Sequence, residues 1–301
     1  MLQETVSGTR THANTKADAT AVTQPRKTGD LALSVGLHFL LIIGAIIMAA
    51  PFLWMVLTSV KTNAQAFSVP PTFLPNPFVW ENYPKSLEAL PFGYAYINST
   101  YITILVVFFT LITSSMAGYA FAKINFPGRN IIFFLFLATL MIPFQLTIIP
   151  QFLILTKLGW IDSHLALIVP PALFNAFGVF LLRQFIKGIP AELEEAAFVD
   201  GANRWTIFWR IIMPLIRAPL SALGIFTFMG TWNNFFYALV YLNTPELFTV
   251  PMMLNQFRGQ YNTEWALVMA GSVIAVLPIL IVYIILQRQI IQGIALTGLK
   301  A

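Results

Sequence analysis

Apolar residues in this chain come in runs too long for one face of a soluble helix. Six such runs, at about 33–60, 96–121, 130–152, 164–186, 213–241 and 265–287, are separated by polar or proline-rich segments. A helix needs roughly 20 residues to cross about 30 Å of hydrocarbon, so each run predicts a transmembrane helix. Pro51 predicts a kink in the first run, and Asp162 or Ser163 is placed to cap the fourth. Between the first two runs, residues 61–92 carry Pro70, Pro71, Pro75, Pro77, Pro84 and Pro91 with Phe67, Phe73, Trp80 and Tyr83. That density of proline is incompatible with a regular helix, and a compact cap on the outer face is expected. Ser114, Gly118 and Ala122 recur every fourth residue, a spacing that lets a neighbouring helix approach closely.

Composition agrees: 57% of residues are hydrophobic and only 10% charged, against about a quarter charged in soluble domains. There is no cysteine, which excludes disulfides, thiol catalysis and Cys-based metal sites. The net charge of +5 is spread along the span borders, so nucleic acid is not an expected partner. The charges report orientation instead. Arg10, Lys16, Arg26, Lys27, Lys123, Arg129, Arg183, Lys187, Arg204, Arg210, Arg217, Arg288 and Lys300 fall on one side, and only Lys61, Lys85, Lys157 and Arg258 on the other. Both termini and the segment around 188–203 are therefore expected in the cytoplasm. Residues 1–30, polar and rich in Thr and Ala, are read as a disordered cytoplasmic tail without a signal-peptide core. Residues 31–289 form the transmembrane domain, and 290–301 a short cytoplasmic tail.

The spans lack the groups that would power transport. No Asp or Glu lies inside any of them, which argues against a proton-coupled carrier. There is no phosphate-binding G-x-x-x-x-G-K-[ST] loop, so energy for uphill transport must enter through another chain. His12, His38 and His164 are scattered and no HExxH occurs, so no enzyme site is expected. The polar content of the spans is neutral: Trp232-Asn233-Asn234-Phe235-Phe236-Tyr237 in the fifth and Asn175 in the fourth. Asn is expensive in hydrocarbon without a partner, and aromatic faces with amides suit a neutral polyhydroxy ligand. Asn175, Trp232, Asn233, Asn234 and Tyr237 are thus candidate pathway residues; interhelical bonding and an aromatic belt are the alternative.

One cytoplasmic segment departs from its surroundings. Glu192, Glu194, Glu195 and Asp200 crowd between two spans, with Pro190 ahead and Gly201 behind. Acids favour a helix N-terminus, and glycine suits the turn that ends one. Glu195-Ala196-Ala197, Gly201, Ile211 and Pro214 resemble the Glu-Ala-Ala loop of ABC importer permeases, with Met213 where Leu is usual. Tyr119-Ala120-Phe121-Ala122-Lys123, Phe126-Pro127-Gly128, Phe185 to Pro190, Trp232-Asn233 and Gln287-Arg288 are similar to the smaller permease subunit of maltose-type carbohydrate importers. The likeness runs from about residue 33 to the end.

The resemblance implies an all-α polytopic membrane protein with the type I ABC importer permease fold, six transmembrane helices and a short cytoplasmic coupling helix at about 191–203. It implies that Glu194, Glu195, Ala196, Ala197, Asp200, Gly201, Ala202, Arg204 and Pro214 engage a separate ATPase. It further implies that the outer loop 242–264 reaches a sugar-binding protein through Asn255, Gln256, Gly259, Gln260 and Tyr261. Gly293 to Lys300 would give a second ATPase contact. The implied partners are a second homologous permease subunit, an ATPase dimer, an extracytoplasmic sugar-binding protein and membrane lipids. This chain would bind no cofactor, ATP and Mg being held by the ATPase, and would reside in a bacterial or archaeal inner membrane. Rival readings are a secondary carrier or facilitator for a neutral solute, and an importer of glycerol phosphate-type substrates.

Overall fold

The computed structural model describes residues 28–260 and 264–298. Most of the polar N-terminal stretch, residues 1–27, lies outside them. Every regular element among the described residues is helical. The chain divides at Pro51 into two compact units. The first holds the start of α1 (Thr28–Ser59), which passes through Pro51 as one helix.

In the second unit the organising element is α4 (Phe92–Lys123). Its 32 residues make a rod of about 48 Å at 1.5 Å per residue, and α7 (Leu165–Leu173), α8 (Ala176–Lys187) and α12 (Arg217–Trp232) pack along it. Two glycines allow that approach. A Cβ at Gly118 would stand 3.1 Å from the Arg183 backbone nitrogen and 3.2 Å from Leu182 Cβ. A Cβ at Gly178 would stand 2.7 Å from Ser114 Oγ and 3.0 Å from Leu223. The Ser114–Gly118 stripe is therefore a packing face, as its spacing predicts.

By length and apolarity, four helices can cross a membrane, Leu33–Ser59, Phe92–Lys123, Leu165–Lys187 and Trp265–Ile285, or up to six if each of two bent pairs is one span. The third predicted run is the first of these bent pairs, whereas the fifth, about 213–241, overlaps only the later part of the second, Arg204–Leu215 with Arg217–Trp232. Between α5 (Arg129–Ala138) and α6 (Phe144–Lys157) the chain turns by 106°. Pro143 stands at that corner, and the residue before a proline is driven out of the α region; Ile142 is accordingly extended, with ψ 115. The second corner, of 79°, lies at Ile216, between α11 (Met213–Leu215) and α12.

Breaks free backbone groups that hydrocarbon cannot satisfy, and neighbouring side chains take them up. At the α7–α8 break the Thr110 hydroxyl donates to the Pro171 carbonyl at 3.2 Å and Thr113 to that of Ala172 at 2.7 Å. Asn175 Oδ1 accepts from the Gly178 N–H at 2.7 Å, capping α8. α12 stops at Trp232, and α13 (Phe236–Tyr241) begins after a break in which Asn234 Oδ1 accepts from the Tyr237 N–H.

Two segments read as loops contain helices. Residues 61–92 include α2 (Asn63–Ala66) and α3 (Asn82–Ala89). Pro84 falls in the first turn of α3, where its missing N–H has no helical partner to lose. Residues 242–264 include α14 (Val250–Gln260). Val250, Met253 and Phe257 are all buried, an i, i+3, i+7 face that the sequence carries. α15 (Trp265–Gly298) closes the described chain.

At the Phe92 end of α4 a polar clasp fixes the approach to α14. Asn98 Nδ2 donates to the Glu246 and Phe248 carbonyls at 2.8 and 3.1 Å, and Ser99 Oγ accepts from the Val250 N–H at 2.8 Å. His164 Nε2 donates to the Leu247 carbonyl at 2.8 Å, so in the neutral ring Nδ1 accepts from the Tyr101 hydroxyl. Asp162 does not cap the fourth span. It adopts φ 56, and its carboxylate accepts from the N–H groups of Asn243 and Thr244 and from the Thr244 hydroxyl at 2.6–2.9 Å. The Thr244 hydroxyl and then these amides hold its pKa below the ordinary value. A depressed carboxyl stabilises fully above its unfolded pKa, about 3.9, and that stability is lost as pH falls through the native one. Hydrogen-exchange protection of Asn243 and Thr244 is therefore expected to hold from pH 7 to about 4 and to fall below it, whereas Asp162→Asn should flatten the profile. Unchanged protection at pH 3 in the unsubstituted chain would contradict a charge-held clasp.

Candidate functional site

The acidic segment folds as α9 (Glu192–Val199), with its three carboxylates in the first turn, where they meet the positive end of the helix dipole. The helix closes in a Schellman turn. The Ala202 N–H reaches the Ala197 carbonyl at 2.9 Å and the Gly201 N–H reaches that of Phe198 at 3.0 Å. Gly201 has φ +80, and a Cβ there would meet nothing within 4 Å. The glycine is needed for its backbone angle and leaves the surface open.

α9 has two unlike faces. Inward, Ala197 packs in a buried cluster with Tyr119, Leu182, Ile186, Ile207, Phe208 and Ile212. Glu194, only 6% exposed, turns the same way. Its Oε1 lies 3.2 Å from Lys123 Nζ, and its Oε2 accepts from the Tyr119 hydroxyl at 3.2 Å. The ammonium also donates to the Ile189 carbonyl at 2.6 Å, and Glu194 Oε1 has no aligned hydrogen-bond donor, so the Lys123–Glu194 attraction is Coulombic. Glu194 is consequently no surface contact, contrary to expectation; it fastens α9 to the end of α4. Ala197 likewise anchors the helix.

Outward, Glu192, Leu193, Glu195, Ala196, Phe198, Val199, Asp200 and Gly201 are exposed. Val199 is the most prominent at 88%. Arg204, exposed, stands 5.4 Å from the Phe198 ring. α10 (Arg204–Ile207) starts on Asn203, whose side chain accepts from the Thr206 N–H, and passes through a π-helical turn, Phe208–Ile212. Pro214 is exposed beyond it and Ala202 is half-buried. Sequence reasoning missed the apolar part of this face, Leu193, Phe198 and Val199, although their recurrence beside the acids was readable.

The predicted pathway residues separate. Asn234 and Tyr237 line a cavity of about 670 Å³ among α6, α7 and α13, with Gln151, Trp160, Pro170 and Tyr241. Tyr241 donates to Gln151 Oε1 at 3.1 Å and stacks on Tyr237 at 5.7 Å. Neither Lys, Arg, Asp nor Glu lines this cavity. Asn175, Trp232 and Asn233 are not among its lining residues. Trp232 is buried, its indole N–H donating to the Ala275 carbonyl of α15 at 3.2 Å; it joins helices. Asn175 is the α8 cap, and Asn233 ends α12. Gln151, Trp160 and Tyr241 were missed because only the helix breaks bring them together.

Asn255 is exposed and Gln256 half-buried on α14. Gly259 and Gln260 end that helix, and Tyr261 lies outside the described residues, as does Lys300. The side chains of Gly293 to Lys300 lie outside them as well.

A broken-helix bundle with a small helix fastened to the end of its central rod is the architecture of a transport permease. Residues 111–295 match the family described as binding-protein-dependent transport system inner membrane component, and the chain belongs to it. It is 34% identical over 281 residues to an arabinooligosaccharides transport system permease protein of Halalkalibacterium halodurans, covering 91% of this chain and 99% of the relative. It is 32% identical over 256 residues to a lactose transport system permease protein of Rhizobium radiobacter, covering 85% of this chain and 93% of the relative. A chain in the crystal structure of a bacterial ABC transporter involved in import of the acidic polysaccharide alginate superposes with a TM-score of 0.77 at 26% identity, covering 87% of this chain and 97% of that one. The fold is thus that of the type I ABC importer permeases, and the chain is a membrane transport subunit and not an enzyme.

Removing one member of a buried pair strands the other charge, at about 3–5 kcal/mol. Lys123→Met should lower the thermal unfolding midpoint of the assembled transporter strongly, and Lys123→Met with Glu194→Met should recover most of the loss. Equal loss in the single and double variants would show that the pair does not fasten α9.

Proposed function

We propose that this chain is the permease subunit of an ATP-driven importer for a neutral di- or oligosaccharide delivered by an extracytoplasmic binding protein. The observation that carries the proposal is the two-faced α9. Its outer face offers Glu195, Ala196, Phe198 and Val199 to a partner while its inner face is fixed to α4 by Glu194 and Ala197. Ala196 adds no bulk, so a cleft can close over the helix, and Glu195 can meet a basic residue of the ATPase. Displacement of α9 then moves α4 and the helices packed on it.

In this reading the apolar part of each bent pair crosses the membrane, giving six spans, with Arg204 and Arg210 left on the cytoplasmic side. The Lys and Arg asymmetry supports a cytoplasmic position for both termini and α9, and the family supports the inner membrane of a bacterial or archaeal cell. A second homologous permease completes the pathway and an ATPase dimer holds ATP and Mg. α14, with Asn255 and Gln256, approaches the binding protein. Asn234 and Tyr237 contribute this chain's wall of the pathway, joined by Gln151, Trp160 and Tyr241.

The sugar assignment draws on the arabinooligosaccharide and lactose permeases. The uncharged cavity lining supports a neutral ligand over a glycerol phosphate, which would favour basic groups. The lack of carboxylates there disfavours a self-powered carrier.

Like charges across an interface cost several kcal/mol, and 1.4 kcal/mol is tenfold. Glu195→Lys is therefore expected to cut sugar uptake and binding-protein-stimulated ATPase activity at least about tenfold in membranes where the subunits are present at normal levels. Undiminished uptake would overturn the docking role of α9.

A further inference from the structure

Residues 62–80 contain no charged side chain, although they leave a transmembrane helix and read as an aqueous loop. Their path is not that of an aqueous loop. After α1 ends at Ser59 and α2 turns the chain, the backbone doubles back along the helix it has left. Phe73 meets the Trp54 ring edge-on at 5.8 Å. Trp54 lies five residues before the end of α1, roughly 7 Å back along the helix at 1.5 Å per residue. The chain then returns, and the Val79 N–H pairs with the Val60 carbonyl at 2.8 Å.

Proline reduces the number of backbone donors in the hairpin. Pro70, Pro71, Pro75 and Pro77 have no N–H to satisfy. Ser68 Oγ accepts from the Thr72 N–H at 3.3 Å, and the Gln65 amide takes the Asn76 carbonyl. The Thr72 carbonyl, near the tip, accepts from Lys61 Nζ at 2.5 Å. Lys61 is only 1% exposed, and its ammonium lies 4.2 Å from the Trp54 ring centroid. An ammonium beneath a hairpin, with a carbonyl on one side and an aromatic ring on the other, is a way to keep a charge near hydrocarbon. The surface left over is apolar: Val69 is 94% exposed, Phe73 73% and Leu74 72%, with Phe78 and Trp80 beside them.

We infer that residues 68–78 form a re-entrant wedge whose occupied partner is the lipid leaflet at the Ser59 end of α1. The continuity with that span, the fold-back onto α1 shown by the Trp54–Phe73 contact, the absence of charge and the exposed apolar side chains select the boundary of headgroups and acyl chains over water. The wedge holds the end of α1 in the interface while Asn82, donating to the Ser59 and Lys61 carbonyls at 2.9 and 2.8 Å, ties it to α3.

The test uses the whole transporter in lipid vesicles. The chain has no cysteine, so with the partner subunits also freed of cysteine, Val69→Cys, Phe73→Cys and Leu74→Cys can each carry one spin label, with Glu88→Cys on α3 as the aqueous reference. Accessibility to oxygen relative to a water-soluble nickel chelate should be several-fold higher at the three wedge positions than at Glu88, with or without the binding protein. Preference for the nickel reagent would place the hairpin in water and overturn the inference. Shielding from both reagents, or shielding that appears only with the binding protein, would give the surface to a protein partner and overturn it equally. The unsubstituted transporter supplies an independent reading: a lipid with a photoactivatable acyl chain should label peptides spanning 67–80, and absence of label there would contradict the wedge.

Discussion

Lys123 and Glu194 meet where the 32-residue α4 ends and the first turn of α9 begins. Two charges removed from water attract strongly only when both are present and held in place. The Tyr119 hydroxyl on the carboxylate and the Ile189 carbonyl on the ammonium supply that placement. The pair therefore specifies more than it stabilises. It fixes which face of α9 is turned to the bundle and so which side chains remain for a partner. In the proposed role a push on the outer face of α9 passes into α4, against which α7, α8 and α12 lie.

A second constraint shapes the membrane part. Hydrocarbon forbids unpaired backbone groups, yet the fold interrupts three of its apolar runs. Two of the breaks are made tolerable by local devices. Thr110 and Thr113 take carbonyls at the α7–α8 break, and Asn175 and Asn234 cap the helices that restart. The interruptions create room as well as strain. The cavity beside Asn234 and Tyr237 opens among α6, α7 and α13, where straight helices would have packed closed.

Much of this was legible in the chain. The apolar runs gave the location of the membrane elements, the four-residue stripe at Ser114 and Gly118 gave a packing face, and Gly201 marked the end of α9. What was not legible depended on direction in space. Glu194 and Glu195 are neighbours with the same chemistry, and only the helix phase, set by Lys123 from 71 positions earlier, sends one inward and the other outward. Asn175 and Trp232 are polar residues in apolar runs, yet a cap and an interhelical indole bond use them. The corner at Pro143 was signalled by a proline whose consequence depended on what packed around it. The i, i+3, i+7 face of α14 was present but hidden in a segment short enough to read as a loop.

The central claim is that α9 presents one face to an ATPase while the other is fastened to α4. It is tested most directly by a single benzophenone label at Val199→Cys in the assembled, otherwise cysteine-free transporter, with Val69→Cys, on the hairpin that follows α1, as the reference. Illumination should yield an adduct with the ATPase subunit from Val199 and none from Val69. Absence of that adduct in a transporter that still imports substrate, or equal adducts from both positions, would contradict the account.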